Sequence, residues 1–339
     1  MRAAIVGTGH IADSYARTLR SRGVHVVACT DIDRARAIRF ATRWGSRYVT
    51  DLGGIAEYRP DVAINLTSPV SHGEVSSALI ELGVPVYTEK PLAHVPEVAR
   101  TLVARSDRRD IALMCAPDTL FGEPQQQMRR ILDAGMIGRP LLLHGQIAWS
   151  GHEQWHPRPQ FLYRSGAGPL LDLGPYWVTA MIHLVGPAVA VTAVDASTGH
   201  EAVRVAGTNG LLMPEVPLTV VLLIEFRSGV IGTLAMSFEW PATTAPALQV
   251  VGESGTLICD VPLFEGRGTV RCRRRADSAW TALPSTPPMV RWQRGIGAVQ
   301  MLRDRAASEP LLDKRQALHT LDILHAAATS MDCGRRIPL

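Results

Sequence analysis

The stretch from Ala3 to Ala12 constrains this 339-residue chain more than any other. Ala3-Ala4-Ile5-Val6 is apolar without alternation, the pattern of a strand buried on both faces in a parallel sheet. Gly7-Thr8-Gly9-His10-Ile11-Ala12 follows at once, and Tyr15, Leu19 and Ser21 then predict a helix that Gly23 ends. Strand, glycine-rich turn and helix in that order bring backbone N–H groups and the positive end of a helix dipole toward a pyrophosphate. Ala12 takes the place of a third glycine and is still small enough for close helix–strand packing. The turn by itself is a weak signal; its two flanks give it meaning.

A second strand over 24–29 ends at Thr30-Asp31, and Asp31 comes 22 residues after Gly9. A carboxylate there accepts hydrogen bonds from the ribose hydroxyls of an adenosine and repels a 2′-phosphate, so NAD is favoured over NADP. Arg34 and Arg36 count in the other direction, because either side chain can swing toward a phosphate. The alternative role for Asp31 is to cap a helix over 33–44. Further strands are predicted at 61–66, 84–87 and 111–115, with helices at 70–82 and 95–105. This alternation makes residues 1–117 a doubly wound parallel sheet, with ligands at the carboxyl ends of its strands. Gly7, Thr8, Gly9, His10, Ile11, Asp31, Thr67, Ser68, Glu89 and Lys90 lie at that edge and are the expected cofactor-binding set.

Lys90 is one of two lysines, the other being Lys314, in a chain with 35 Lys and Arg residues. An ammonium can lose its proton when desolvated and a guanidinium effectively cannot. A lysine after a buried strand and beside a cofactor is therefore a candidate proton-holding group; a solvated loop lysine is the plain alternative.

From 118 to 339 the pattern changes to a substrate-binding and oligomerisation domain. A helix at 123–133 and a strand at 141–149 lead into a polar stretch over 150–165. That stretch holds His152, Glu153, Trp155, His156, Tyr163 and Arg164. Of these, His156, Tyr163 and Arg164 are the expected substrate contacts, against the alternative of a plain exposed loop. Gly166-Ala167-Gly168-Pro169 opens a helix through 185, in which Asp172, Tyr176, Thr179 and His183 share one polar stripe. A polar stripe between apolar flanks needs partners, supplied either by a substrate or by the neighbouring sheet. Pro175 lacks an N–H and is expected to distort the first turn. Strands at 189–194, 218–227, 230–238, 247–251, 256–260 and 269–273, joined in part by tight turns, predict a large open, mainly antiparallel sheet. A loop over 275–289 and helices over 291–306 and 313–331 follow. The face of the sheet away from the 166–185 helix is free to bury itself in an oligomer.

Composition excludes other classes. With 46% apolar and 19% charged residues and a formal charge of +4, the chain is an ordinary globular protein. Its basic residues are scattered, giving no case for nucleic acid; Arg271 to Arg275 reads as a solvated edge or a phosphate contact. Five cysteines without C-x-x-C spacing suggest neither disulfides nor a structural metal. There is no leader-like start and no membrane-length apolar run, so a cytoplasmic protein without membrane contact is expected.

The ordered set Gly7-Thr8-Gly9-His10-Ile11-Ala12, Asp31, Thr67 to His72, Glu89-Lys90-Pro91 and Gly166-Ala167-Gly168 with Asp172, Gly174 and Tyr176 resembles the Gfo/Idh/MocA oxidoreductase family over essentially the whole chain. The resemblance implies an α/β protein with a Rossmann domain and a C-terminal α+β domain whose open sheet makes homodimers or homotetramers. It implies hydride transfer between a nicotinamide cofactor and a sugar, cyclitol or related polyol. Lys90 would contact nicotinamide ribose and substrate, and Asp172 would be the family aspartate. Tyr176 stands where many members have histidine, similar to the glucose–fructose oxidoreductase and dihydrodiol dehydrogenase branch. Catalysis is thus expected from Lys90, Tyr176 and Asp172, with Thr179 and His183 completing the substrate contacts and no metal. Tyr176, Lys90 and His183 all remain candidates for the proton acceptor. Two other activities stay open: transient oxidation around an elimination or epimerisation, and a catalytically silent NAD-dependent sensor.

Overall fold

The computed structural model describes residues 1–154, 156, 159–198, 203–204, 210–260, 268–284, 292–303 and 311–339. The chain divides into two compact units, Met1–Phe121 with Val290–Leu321 and Gly122–Met289 with Asp322–Leu339.

The first unit is a six-stranded parallel sheet. Its strands are β1 (Arg2–Val6), β2 (His25–Thr30), β3 (Arg47–Tyr48), β4 (Val62–Asn65), β5 (Val86–Thr88) and β6 (Leu113–Cys115). They lie in the order β3-β2-β1-β4-β5-β6, so the winding reverses between β1 and β4, the position at whose carboxyl ends sheets of this kind bind ligands. Ile5, Ile64 and Val86 have no exposed surface, as expected for strands covered on both faces. Each such side chain contributes roughly 1.5–3 kcal/mol on burial. The connecting helices are α1 (Ala12–Ser21), α2 (Arg34–Trp44), α3 (Leu52–Glu57), α4 (His72–Glu81) and α5 (Pro96–Arg109). Neither β3 nor α3 is expected from sequence, because both are too short to show a period. Among the described residues, 292–303 and 311–321 pack with the first unit.

The second unit carries a nine-stranded sheet. Around β7 (Pro140–Ala148) lie β8 (Ala188–Asp195), β11 (Thr219–Phe226), β12 (Ile231–Ser237), β13 (Leu248–Gly252), β14 (Gly255–Cys259), β15 (Val270–Arg274), β16 (Thr281–Ala282) and β17 (Ile337–Pro338). A separate two-stranded ribbon joins β9 (Val203–Arg204) and β10 (Leu211–Leu212). The large sheet is ordered β16-β15-β14-β13-β7-β12-β11-β8-β17; among the described residues only β7 and β12 pair in parallel. The helices are α6 (Glu123–Asp133), α7 (Gly168–Asp172) and α8 (Gly174–Val185), then α9 (Ile296–Arg303) in the first unit and α10 (Lys314–Cys333), within which the division falls. The ends of the helix expected at 291–306 and of the loop at 275–289 lie outside the described residues.

The helix α8 lies tight on this sheet. A Cβ at Gly145 of β7 would come within 2.7 Å of both the Met181 methyl and Trp177 Cδ1, so only glycine permits this approach. Trp177 is fully buried and its indole N–H donates to the Ala247 carbonyl at 2.8 Å. The distortion expected at Pro175 is a complete break. With no N–H on Pro175 to donate to it, the Leu171 carbonyl lacks its helical donor, and α7 and α8 are separate helices joined at Leu173. Asp172 therefore ends one helix while Tyr176, Thr179 and His183 belong to the next.

Candidate active site

In the first unit the glycine turn connects β1 to α1. Gly7 has φ +91, and a Cβ there would sit 2.7 Å from the Leu66 carbonyl, so no other residue fits without moving β4. A Cβ at Gly9 would meet nothing within 4 Å, leaving room over the turn for a diphosphate. His10 is exposed and Ile11 half-buried. The backbone N–H and hydroxyl of Thr8 donate to Asp31 at 2.6 and 3.0 Å, tying the turn to the end of β2. Burial alone would raise the Asp31 carboxyl, but bonds from Arg36, Asp33 and Thr8 outweigh it and hold the group below its ordinary value. The helix cap of α2 is supplied by Asp33, which accepts from Arg36 N at 3.0 Å.

The loop after β4 is held by Asn65. Its Oδ1 accepts from the Thr67 N–H at 3.2 Å and hydroxyl at 2.6 Å, while Nδ2 donates to the His72 carbonyl and Ser76 hydroxyl. Ser68 is exposed beyond it. The buried His72 ring reaches two loops, with Nδ1 2.7 Å from the Pro91 carbonyl and Nε2 3.0 Å from the Thr67 carbonyl. A neutral imidazole can donate to only one of them. Burial lowers its pKa, against the pull of Pro91, Glu89 and Thr67. His72 thus fixes the spacing of the two loops that carry Thr67 and Lys90.

Glu89 turns inward. It is buried and accepts from the Tyr15 hydroxyl at 2.8 Å and the Lys90 N–H at 2.9 Å, with Arg294 at 3.5 Å. Lys90 is half-buried at the carboxyl end of β5. The first unit therefore gathers Gly7, Thr8, Gly9, Asp31, Thr67, Glu89 and Lys90 along one edge.

In the second unit, Asp172 accepts from or pairs with His152, whose Nε2 lies 3.1 Å from Oδ2. His152 is packed edge-on to Phe238 at 4.8 Å. Its N–H donates to the Tyr163 hydroxyl at 3.0 Å, and that hydroxyl donates in turn to the buried Glu153 carboxylate. Burial and then Glu153 push the Tyr163 pKa up. Tyr163 is only 1% exposed, so its hydroxyl serves this internal chain. His156 is half-buried, donates its backbone N–H to the His152 carbonyl at 2.8 Å and meets Phe161 edge-on at 5.5 Å. Arg164 is exposed, and Trp155 lies outside the described residues. On α8, Tyr176 is half-buried and Thr179 buried. His183 is at the far end, where burial and then the Arg129 charge lower its pKa to about 4.

His152, Asn65 and His72 are not among the site residues expected from sequence. His152 precedes Asp172 by twenty positions and shares no periodicity with it, and only tertiary packing joins them. Among the described residues, no group of three or more His, Cys, Asp or Glu is placed to hold a metal ion.

Residues 1–116 match the model described as an oxidoreductase family NAD-binding Rossmann fold, and residues 125–258 match that of the GFO/IDH/MocA C-terminal domain. The chain belongs to the Gfo/Idh/MocA oxidoreductase family. A myo-inositol dehydrogenase of Streptomyces leeuwenhoekii is 27% identical over 76% of each chain. The D-apiose dehydrogenase of Paraburkholderia graminis is 25% identical, spanning 100% of this chain and 89% of its own. Among solved structures, an NAD-binding oxidoreductase from Klebsiella pneumoniae superposes with a TM-score of 0.87 at 20% identity, covering 100% and 98% of the two chains. The WlbA dehydrogenase of Bordetella pertussis, solved with NADH and UDP-GlcNAcA, gives 0.80 at 19% identity over 100% and 98%. The chain is thus an NAD(P)-dependent oxidoreductase by family, and its first unit an NAD(P)-binding Rossmann fold. Among the described residues, no helix is long and apolar enough to cross a membrane.

Proposed function

We propose that this chain moves a hydride between NAD(P) and a secondary alcohol or ketone of a sugar, cyclitol or sugar derivative. The observation that supports it best is the single carboxyl edge carrying the Gly7–Gly9 turn, Asp31 and Lys90. The residues present suit the cofactor: a turn with open space for a diphosphate, a carboxylate at the end of β2 for the ribose, and an ammonium beyond β5. Asp31 makes NAD the preferred dinucleotide. When bound, the nicotinamide supplies the hydride acceptor or donor. Inositol and D-apiose dehydrogenases among the relatives favour a polyol. A nucleotide-sugar belongs in the same class, as bound by the Bordetella protein.

In this reading Tyr176 Oη takes the proton of the reacting hydroxyl. A free phenol has a pKa of about 10, so a base of this kind needs a cation in the assembled site to favour its ionised form at neutral pH. Lys90 anchors the hydroxyl. Asp172, held by His152, orients a substrate hydroxyl, while His156, Arg164 and Thr179 grip the rest of the molecule. Tyr163 contributes through His152, and His183 is the rival proton acceptor on the same helix.

The test is reduction of NAD, followed by absorbance, across a panel of sugars, cyclitols and nucleotide-sugars. With a substrate in hand, Tyr176→Phe lowers kcat about 10²–10⁴-fold with cofactor binding intact. Lys90→Met does comparable damage and Lys90→Arg restores little. A Tyr176→Phe enzyme with near-parental kcat and an unshifted pH profile removes the tyrosine from this role. Product formed without net NAD reduction selects transient oxidation instead.

A further inference from the structure

The Asp31 carboxylate carries more donors than its usual complement. Oδ2 accepts from the Thr8 N–H at 2.6 Å, the Thr8 hydroxyl at 3.0 Å and Arg36 Nε at 3.1 Å. Oδ1 accepts from the Asp33 N–H at 2.8 Å and Arg36 Nη2 at 2.7 Å. A carboxylate offers about four acceptor directions, so the ribose hydroxyls of an adenosine find none open. The Thr8 and Asp33 N–H bonds come from backbone that the turn and the α2 cap fix in place. Arg36 is the partner able to leave, since its side chain is 35% exposed while that of Asp31 is 3% exposed.

We propose that Arg36 is a selectivity latch on the adenosine end of the cofactor site, closed on Asp31 and opened by NAD but not by NADP. This rests on the nicotinamide reading of the first unit. For the NAD ribose to reach Asp31, two charge-assisted bonds from a forked guanidinium must give way to bonds from neutral hydroxyls, a weak exchange. A 2′-phosphate needs no such exchange. It meets a guanidinium already held at the end of β2, with Nη1 and the second Nη2 proton still to offer. The ion pair also cancels much of the charge by which Asp31 alone would repel that phosphate. The main chain of Arg36 stays in place, because its own N–H is bonded to Asp33 in the first turn of α2, so the side chain swings from a fixed point. Asp31 thus gives NAD a preference, and Arg36 keeps that preference small.

The test is direct binding of NADH and NADPH to the full chain, read by nucleotide fluorescence or calorimetry, with no substrate required. The parent binds both, NADH ahead by no more than about tenfold, far less than two bonds to an unobstructed charged group would give. In Arg36→Gln, NADPH affinity falls about tenfold or more while NADH affinity holds or rises, widening the ratio. Arg36→Lys keeps the charge and loses the fork, so it retains part of the NADPH affinity and the parental fold, and serves as the control for misfolding. NADPH binding in the parent weakens more steeply with salt than NADH binding. Equal losses for both nucleotides in Arg36→Gln, or no change in their ratio, overturn the latch alone. A parent that binds neither nucleotide overturns the cofactor reading beneath it.

Discussion

Asp118 follows β6 in a short 3-10 turn and is 4% exposed. Its Oδ2 accepts from the Gly295 and Gly297 N–H groups at 2.7 and 3.3 Å, at the start of α9, and Oδ1 from the Trp292 indole at 3.2 Å. The carboxylate thereby fastens the returning 292–303 segment to the first unit, in the favourable field of a helix N-terminus. Burial nevertheless dominates and, with Glu89 adding to it, raises the Asp118 pKa from 3.8 to about 6; Gly297, Gly295 and Arg294 pull it back only in part. The folded state therefore holds this proton more tightly than the unfolded chain does. Its contribution to stability is complete below about pH 4 and is lost as pH rises through about 6. A shift of roughly two units corresponds to about 3 kcal/mol in total, of which about half is lost between pH 5 and pH 7.5. Asp118→Asn cannot titrate. It pays a fixed cost for turning an amide N–H toward the Trp292 indole, and that cost does not vary with pH. Urea unfolding of parent and variant, followed by tryptophan fluorescence over that pH range, isolates the group. The parent should gain about 1–2 kcal/mol relative to the variant on going down from pH 7.5 to pH 5. A difference that is flat with pH, or one that grows in the other direction, refutes the assignment of the raised carboxyl to Asp118.

Tyr163→Phe removes the hydroxyl between Glu153 and the His152 N–H, leaving two buried groups short of a partner at about 1–3 kcal/mol. The melting temperature should fall, and with a substrate in hand KM should rise more than kcat falls; unchanged stability would separate Tyr163 from His152. On the sheet face opposite α8, Leu223 of β11 is 43% exposed and Val194 of β8, across from Val221, is 54% exposed. If this face joins copies of the chain into a homodimer or homotetramer, Leu223→Arg should lower the mass measured by light scattering, and an unchanged mass would place any interface elsewhere.

Much of the first unit is local in origin and was therefore legible. The uninterrupted apolar run at 3–6 specifies a strand covered on both faces, and the glycine at position 7 is required by a carbonyl 2.7 Å from where its Cβ would be. Pro175 announced its broken helix because the missing N–H is a property of the residue itself. The parallel pairing of β7 with β12 was not legible, since strands of the same composition pair either way and the choice belongs to the whole sheet. Nor was the packing of 292–303 with the Rossmann sheet. That depends on an aspartate at 118 meeting glycine N–H groups at 295 and 297, a contact no period in the sequence records. The candidate residues of each unit divide in the same way. Gly7, Asp31, Lys90 and Asp172 stand at motif spacings and could be named in advance. The His152 ring on Asp172, the His72 bridge between Thr67 and Pro91, and the Arg36 fork closed over Asp31 are side-chain meetings. Sequence spacing determines which groups reach an edge; only tertiary packing decides which of them are already engaged there, because a hydrogen bond depends on distances that the chain order leaves open.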